Sequence, residues 1–382
     1  MKNKGYLFIS NSTKPSTDIL ESVEPIGPSS FSKAAIMAAE EMGWGLHMGI
    51  NRNNPEKIKG IGFNLKFYNQ HTYRNIFALR DNWKAYRNLC RYLEDNPQIE
   101  IIHCNTPIGG FVGRLAGKRY KKKVIYTAHG FHFLFNRTIL KWIELWLARY
   151  TDILITINQE DFKASQKFRL KKGGKAVYIP GVGIDLSNYT AQRTRSEVRK
   201  SLSLTDDDFV CICMGDIINR KNYKTSIESI ANVKDSKIHY LICGNGPETE
   251  KLKELSRQMG VFKQIHFLGF RRDIKELLYA SDCFLFSSLQ EGLPRSTMEA
   301  MAAGLPCVVS DIRGNNDLVE DGAGGFLIKT TDVLGYSKAL VRIKEDPILR
   351  KKMSEYNKEK IRDFDINIIE EKLLKVFKKI LQ

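Results

Sequence analysis

Short apolar runs alternate with helical stretches along nearly the whole chain, and this alternation narrows the folds open to it. In the first part, the runs at 6–10, 45–50, 99–104, 124–128, 152–157 and 176–179 predict strands, and 29–42, 76–95, 109–119, 138–150 and 159–168 predict helices. In the second part, strands are expected at 209–214, 238–243, 265–268, 283–287 and 307–310, with helices near 223–233, 248–259, 274–280, 295–303 and 315–319. Apolar strands separated by helical crossovers specify parallel sheets covered on both faces, here twice over. Pro180-Gly181-Val182-Gly183 and the polar segment after it form the natural hinge. The expected class is α/β: two doubly wound domains, 1–183 and 184–365, with a cleft between their carboxyl edges. The segment 366–382 carries Ile366, Ile369, Leu373, Phe377 and Ile380 at helical spacing. It either completes the first domain or lies on a membrane.

Composition excludes several classes. The 382 residues suit two domains of ordinary size, and 42% hydrophobic with 27% charged residues excludes wholesale disorder. No apolar run approaches the ~18–20 residues of a membrane span. Lys2 and Lys4 precede only Tyr6-Leu7-Phe8-Ile9, too short for a signal-peptide core. The seven cysteines lie among strand-like runs without a metal-type pair, which points to a reduced, cytosolic chain. The net charge is +17 and uneven. Up to Asp185 there are 28 basic against 15 acidic residues, a net of +13; the remainder, with 32 against 28, carries +4. A cluster at Lys118-Arg119-Tyr120-Lys121-Lys122-Lys123 heads the excess. Such asymmetry points to an anionic partner, although the cluster alone equally fits a solvated helix end.

The most informative stretch is Glu291-Gly292-Leu293-Pro294-Arg295-Ser296-Thr297-Met298-Glu299, after the run 283–287. Pro294 suits a first helical residue and Gly304 a helix stop. The helix therefore opens at the carboxyl edge of its sheet. Its free N–H groups around Ser296 and Thr297, with their hydroxyls, suit a phosphate or diphosphate. Two carboxylates beside an anion site fit hydroxyl donors, as on a ribose and a hexose. Taken singly, Glu299 also reads as a helix-dipole residue and Glu291 as an ordinary loop residue.

This Glu-x7-Glu segment resembles the family-4 glycosyltransferases, retaining enzymes of GT-B fold with two Rossmann-like domains. Gly244-Asn245-Gly246-Pro247, Phe267-Leu268-Gly269-Phe270, Ala280-Ser281-Asp282 and Met301-Ala302-Ala303-Gly304-Leu305-Pro306 stand around it in that family's order. His103-Cys104-Asn105-Thr106-Pro107, Gly110 to Arg114, and Thr127-Ala128-His129-Gly130-Phe131-His132 resemble the branch that builds bacterial capsular polysaccharides and exopolysaccharides. The resemblance implies that Glu299 binds the ribose and Glu291 the donor sugar, assisted by backbone N–H groups at Gly292 and Leu293. The Ser296–Thr297 helix start holds the diphosphate, Lys221 neutralises the leaving group, and Arg271 and Arg272 lie near the base. The Gly244 turn belongs to the donor site, and His129 faces the sugar, although a strand-end histidine also fits plain packing. Three departures stand out. Asp216 follows Gly215 where many members carry arginine, with Arg220 as the substitute. Ile26-Gly27-Pro28-Ser29-Ser30 replaces a glycine pair, and Asp317 stands where glutamate is commoner.

The implied reaction moves a hexose-type sugar from a nucleoside diphosphate, UDP on family grounds, to a lipid-diphosphate-linked saccharide with retained configuration. Lys221, Arg220 and the helix start would stabilise the leaving diphosphate with no metal and no cofactor beyond the donor. Asp206-Asp207-Asp208 reads as a surface turn rather than a metal signature. An epimerase of the same fold is the rival enzyme. A basic nucleic-acid-binding protein is the rival from another class, but no stacking platform accompanies the charge. A dinucleotide fingerprint fails, because Pro247-Glu248-Thr249 follows Gly244-Asn245-Gly246. Trp142 and Trp146, four residues apart beside basic residues, fit either an interfacial patch or a core. The former implies peripheral placement on an anionic inner membrane face.

Overall fold

The structure, a computed structural model, describes residues 4–10, 16–73, 75, 77–131, 138–187 and 189–381. His132 of the first-domain motif lies outside the described residues. The chain forms two compact units, one of 1–183 with 366–382 and one of 184–365.

The first unit is built on seven parallel strands: β1 (Gly5–Ile9), β2 (Gly45–Ile50), β3 (Leu65–Asn69), β4 (Ile99–Cys104), β5 (Lys123–Ala128), β6 (Ile153–Thr156) and β7 (Lys175–Tyr178). They lie in the order β3-β2-β1-β4-β5-β6-β7. One face carries Tyr6, Phe8, Ile101 and Ile125, and the other Leu7, Ile9, Ile102 and Val124, so every central strand is apolar on both sides. The helix Ile366–Leu381 packs on the first of these faces. Its Phe377 is fully buried, with ring centroids 5.3 Å from Trp44 and 5.5 Å from Tyr6. Packing, and not a membrane, accounts for that apolar stripe.

The second unit has six parallel strands: β8 (Phe209–Met214), β9 (Ile238–Cys243), β10 (Ile265–Gly269), β11 (Cys283–Phe286), β12 (Cys307–Ser310) and β13 (Gly325–Ile328). Their order is β10-β9-β8-β11-β12-β13. In each sheet the winding reverses once, between β1 and β4 and between β8 and β11. The carboxyl ends of those strands are where such sheets bind ligands. Asp282, in the Ala280-Ser281-Asp282 motif, is structural: it pairs with the fully buried Arg199 at 2.6 Å and accepts from Val210 N at 2.8 Å. Asp208 accepts from the Thr205 N–H and hydroxyl, which makes its acidic run a turn. All seven cysteines are free and buried.

Several boundaries differ from expectation. The edge strands β3 and β13 are additional, because runs as short as Leu-Lys-Phe-Tyr-Asn and Gly-Phe-Leu-Ile carry little signal. The helices begin at Lys33 and Leu79 instead of 29 and 76. Helices Val333–Glu345 and Pro347–Lys360 also add to the plan. Their caps were readable: Asp332 accepts from Gly335 N, Asp346 accepts from Leu349 N, and Pro347 takes the first position. Pro294 is the cap residue and Arg295 the first helical residue, one position later than the proline suggested. No helix among the described residues is long and apolar enough to cross a membrane.

Candidate active site

Two loops at the switch point of the second sheet build the site. After β8 the chain turns through a 3-10 segment, Asn219–Lys221, and reaches Asn222 in the left-handed region at φ 52°. That conformation suits asparagine better than most residues. The Asn222 side-chain amide donates to the carbonyls of Ser287 (3.0 Å) and Thr330 (3.1 Å), and the Asn222 backbone carbonyl accepts from the Ser287 hydroxyl at 2.6 Å. Leu289 N donates to the Arg220 carbonyl at 2.9 Å. The loop after β8 is thereby stitched to the loop after β11, and the functional side chains of both share one place.

Glu291 stands at the centre. Its side chain is only 9% exposed, and its Oε1 accepts from Lys221 Nζ (2.9 Å), Arg220 Nη1 (2.8 Å) and Ser288 Oγ (2.7 Å). Oε2 accepts no hydrogen bond among the described residues. Lys221 also lies 4.7 Å above the Phe286 ring, and Arg220 donates to the Gln290 carbonyl. A nearly buried carboxylate shared by two cations is charge-assisted on one oxygen and open on the other. Arg313 Nε donates to the Glu291 carbonyl at 3.1 Å, which fixes the backbone of the same loop. Next to it Gly314, at φ +83°, packs so closely that a Cβ would stand 2.3 Å from the Gly292 carbonyl oxygen. Leu293 packs against the core of the unit.

The helix Arg295–Ala302 follows with no side-chain cap at its start. Ser296 is partly exposed; Thr297 is fully buried, and its Oγ1 has no partner among the described residues. Its hydroxyl is turned away from solvent, so the backbone N–H groups and Ser296 are the exposed donors of this turn. Glu299 accepts from Arg295 Nε at 2.9 Å. Tyr189 lies near enough to feel that carboxylate: burial first, then the Glu299 charge, pushes its phenol pKa up. Gly244 acts through its backbone. At φ +155° it lies against the loop after β8, where a Cβ would stand 2.0 Å from the Gly215 oxygen. Arg271 is held by Asp273 at 2.6 Å, which also pairs with Arg193, whereas Arg272 is exposed. Ser288, Arg313 and Tyr189 were missed in the sequence because no motif spacing singles them out; Arg295 was missed although it stands four residues before Glu299, the spacing of a helical ion pair.

His129 belongs to the first unit. Its Nε2 meets Asn105 Oδ1 at 2.6 Å and its ring stands edge-on to Phe31 at 5.5 Å. Burial pushes its imidazole down to about 4, so it is neutral at pH 7.

Residues 194–360 match the family model of glycosyl transferases group 1, and residues 53–187 match that of glycosyltransferase family 4. EpsD of Bacillus subtilis (strain 168) is 30% identical over 328 residues, covering 83% of this chain and 84% of that protein. The chain is a family-4 glycosyltransferase. An Escherichia coli relative, the UDP-Gal:alpha-D-GlcNAc-diphosphoundecaprenol alpha-1,3-galactosyltransferase, is 32% identical to this glycosyltransferase over 288 residues, 72% of this chain and 74% of the relative. The crystal structure of Anabaena HepE in complex with UDP and glucose superposes with a TM-score of 0.78 at 19% identity, covering 99% of this chain and 100% of that one. The glycosyltransferase therefore has the GT-B fold.

Proposed function

We propose that this glycosyltransferase moves a hexose-type sugar from a UDP-linked donor to a lipid-diphosphate-linked saccharide in surface-polysaccharide synthesis, with retention and without a metal. The observation that carries the reading is the cluster of Lys221, Arg220 and Ser288 on one oxygen of Glu291, in the loop that leads into the uncapped helix start and Glu299. The two cations are the charge that a departing diphosphate needs, and the free Oε2 is an acceptor for a sugar hydroxyl. In this reading Glu299 exchanges Arg295 for the ribose hydroxyls, and Arg271 and Arg272 lie on the base side. His129, neutral and donating or accepting without charge, is the first unit's contact to the sugar. The donor's own phosphate takes the acceptor proton on the same face, which preserves configuration.

The acceptor class follows the E. coli relative, whose name specifies a diphosphoundecaprenol-linked sugar. Exposed Ile139, Trp142, Ile143 and Trp146 line one side of the helix Thr138–Ala148, and the Lys118–Lys123 cluster lies in the same unit. An apolar stripe with basic residues supports peripheral docking on an anionic inner leaflet. The testing experiment is a panel of nucleotide sugars scored for protection against thermal unfolding, followed by transfer assays with and without EDTA and anomeric analysis of the product. UDP-sugars are expected to protect best. Protection by none of them, or an inverted product, overturns the reading.

A further inference from the structure

Asn105 and His129 follow neighbouring strands of the first sheet, at the carboxyl ends of β4 and β5, beside the point where the winding reverses. Asn105 is only 1% exposed, and the residues after it set it in place. Thr106 caps the next helix by accepting from Gly109 N at 3.2 Å, and Pro107 takes the first helical position. Asn105 Oδ1 stands 2.6 Å from His129 Nε2. The half-buried His129 ring is flanked edge-on by Phe31 at 5.5 Å. Its other nitrogen, Nδ1, has no hydrogen-bond partner among the described residues and is not sealed off from solvent.

This asymmetry decides what the ring can do. A neutral imidazole carries one proton, and the hydrogen bond made at one nitrogen sets where that proton sits. An amide oxygen can only accept, so the contact with Asn105 puts the proton on Nε2 and leaves a lone pair on Nδ1. The surroundings keep the ring uncharged, since burial alone pushes it down to about 4. Its titratable neighbour on β4, His103, is neutral too and engaged by the Tyr6 hydroxyl and Thr127 Oγ1. Asp161, on the helix after β6, is turned to the Phe131 N–H at 3.2 Å and the Asn158 amide at 2.7 Å.

We infer that Asn105 is a positioning residue: it holds the ring proton of His129 on Nε2, so that His129 meets the sugar through Nδ1, as a hydrogen-bond acceptor. This rests on the function proposed above, which makes His129 the first unit's contact to the sugar.

The test reads the tautomer first and the reaction second. The full chain is labelled on its histidine nitrogens, and the His129 signal is identified by its loss in His129→Gln. Nitrogen–proton correlation NMR of the free protein at pH 7 should show Nε2 protonated and Nδ1 bare. A proton on Nδ1, or a mixture of the two forms, overturns the inference. Asn105→Ala removes the acceptor; it should turn the single tautomer into a mixture and lower kcat several-fold, with UDP affinity as in wild type. Asn105→Asp sets a carboxylate against Nε2–H and favours the imidazolium, in which Nδ1 is protonated and can no longer accept. Its transfer rate should fall about tenfold per pH unit below a new ionisation. Wild type should show no such limb from this ring above pH ~5, because its value lies at about 4. A merely structural Asn105 predicts lower thermal midpoints with parallel pH profiles, and that outcome overturns the inference. If no nucleotide sugar supports transfer by wild type, the proposed function is at fault, and the tautomer of the free chain still judges Asn105.

Discussion

The Lys221 ammonium stands 2.9 Å from Glu291 Oε1, an oxygen that Arg220 also approaches to 2.8 Å. In the free enzyme the carboxylate thus stores the two cations that the leaving diphosphate would need. On the proposed reading, donor binding would exchange the Glu291 carboxylate for the diphosphate as the partner of these cations. The neutral amide of Glu291→Gln keeps the shape but releases that hold. This variant is expected to bind UDP at least as tightly as wild type and to lose transfer by about 10²-fold or more, an effect of the size seen when one preorganised polar group is removed. Calorimetry with UDP and a single-turnover assay measure the two; wild-type turnover would sink the assignment.

Asn222 holds its loop by conformation and by side-chain bonds at once. Asn222→Ala forfeits both and is expected to cost about 2–3 kcal/mol of stability. Asn222→Gly keeps the left-handed backbone and should cost less. Urea denaturation of the two variants separates the contributions, and equal losses would mean that conformation is irrelevant here.

Gly244→Ala brings a methyl to 2.0 Å from the Gly215 oxygen, on backbone that cannot yield as a side chain can. The expected result is a loss of about 3 kcal/mol or more, with weaker UDP protection because the loop carrying Lys221 is displaced. A stable variant with normal UDP binding would show that the two loops are freer than their packing implies.

Acid should destabilise the fold through its histidines. Burial pushes His47 down to about 4 and His103 to about 3; His103 is locked between the Tyr6 hydroxyl at 2.5 Å and Thr127 Oγ1 at 2.7 Å. Above pH ~6.5 both states hold these rings neutral, so they contribute no pH dependence there. Below it the unfolded chain gains protons that the folded chain refuses, and stability falls until the folded values are reached. At pH 5 the loss should be about 1–2 kcal/mol for each ring relative to pH 7. Urea midpoints across this range check the slope; a flat profile between pH 7 and 5 would contradict it.

Trp142 is 68% and Trp146 43% exposed, which removes the core reading of the pair. Substituting both with serine should leave the thermal midpoint nearly unchanged and lower flotation with anionic vesicles several-fold. Equal recovery of wild type with anionic and neutral vesicles would count against docking by charge.

The alternation of apolar runs with helices made both parallel sheets legible, since only strands buried on two faces read that way. The segment from Glu291 to Glu299 was legible because its proline, glycine and paired acids bear on one helix start. The edge strands β3 and β13 escaped for want of length and alternation. Asp282 read as part of a family motif, yet its partner Arg199 lies 83 positions away and was invisible until the two met across the fold.

By itself the sequence determined the fold class and the segment that carries the paired glutamates, because periodicity, turn residues and helix-end chemistry act over a few residues. Only the tertiary structure decided the partners. Seventy positions separate Lys221 from Glu291, and sixty separate Ser10 from Gln70, whose side chain accepts from the Ser10 N–H. What a charge does depends on which other charge stands within about 3 Å and how much water lies between them, and chain spacing encodes neither.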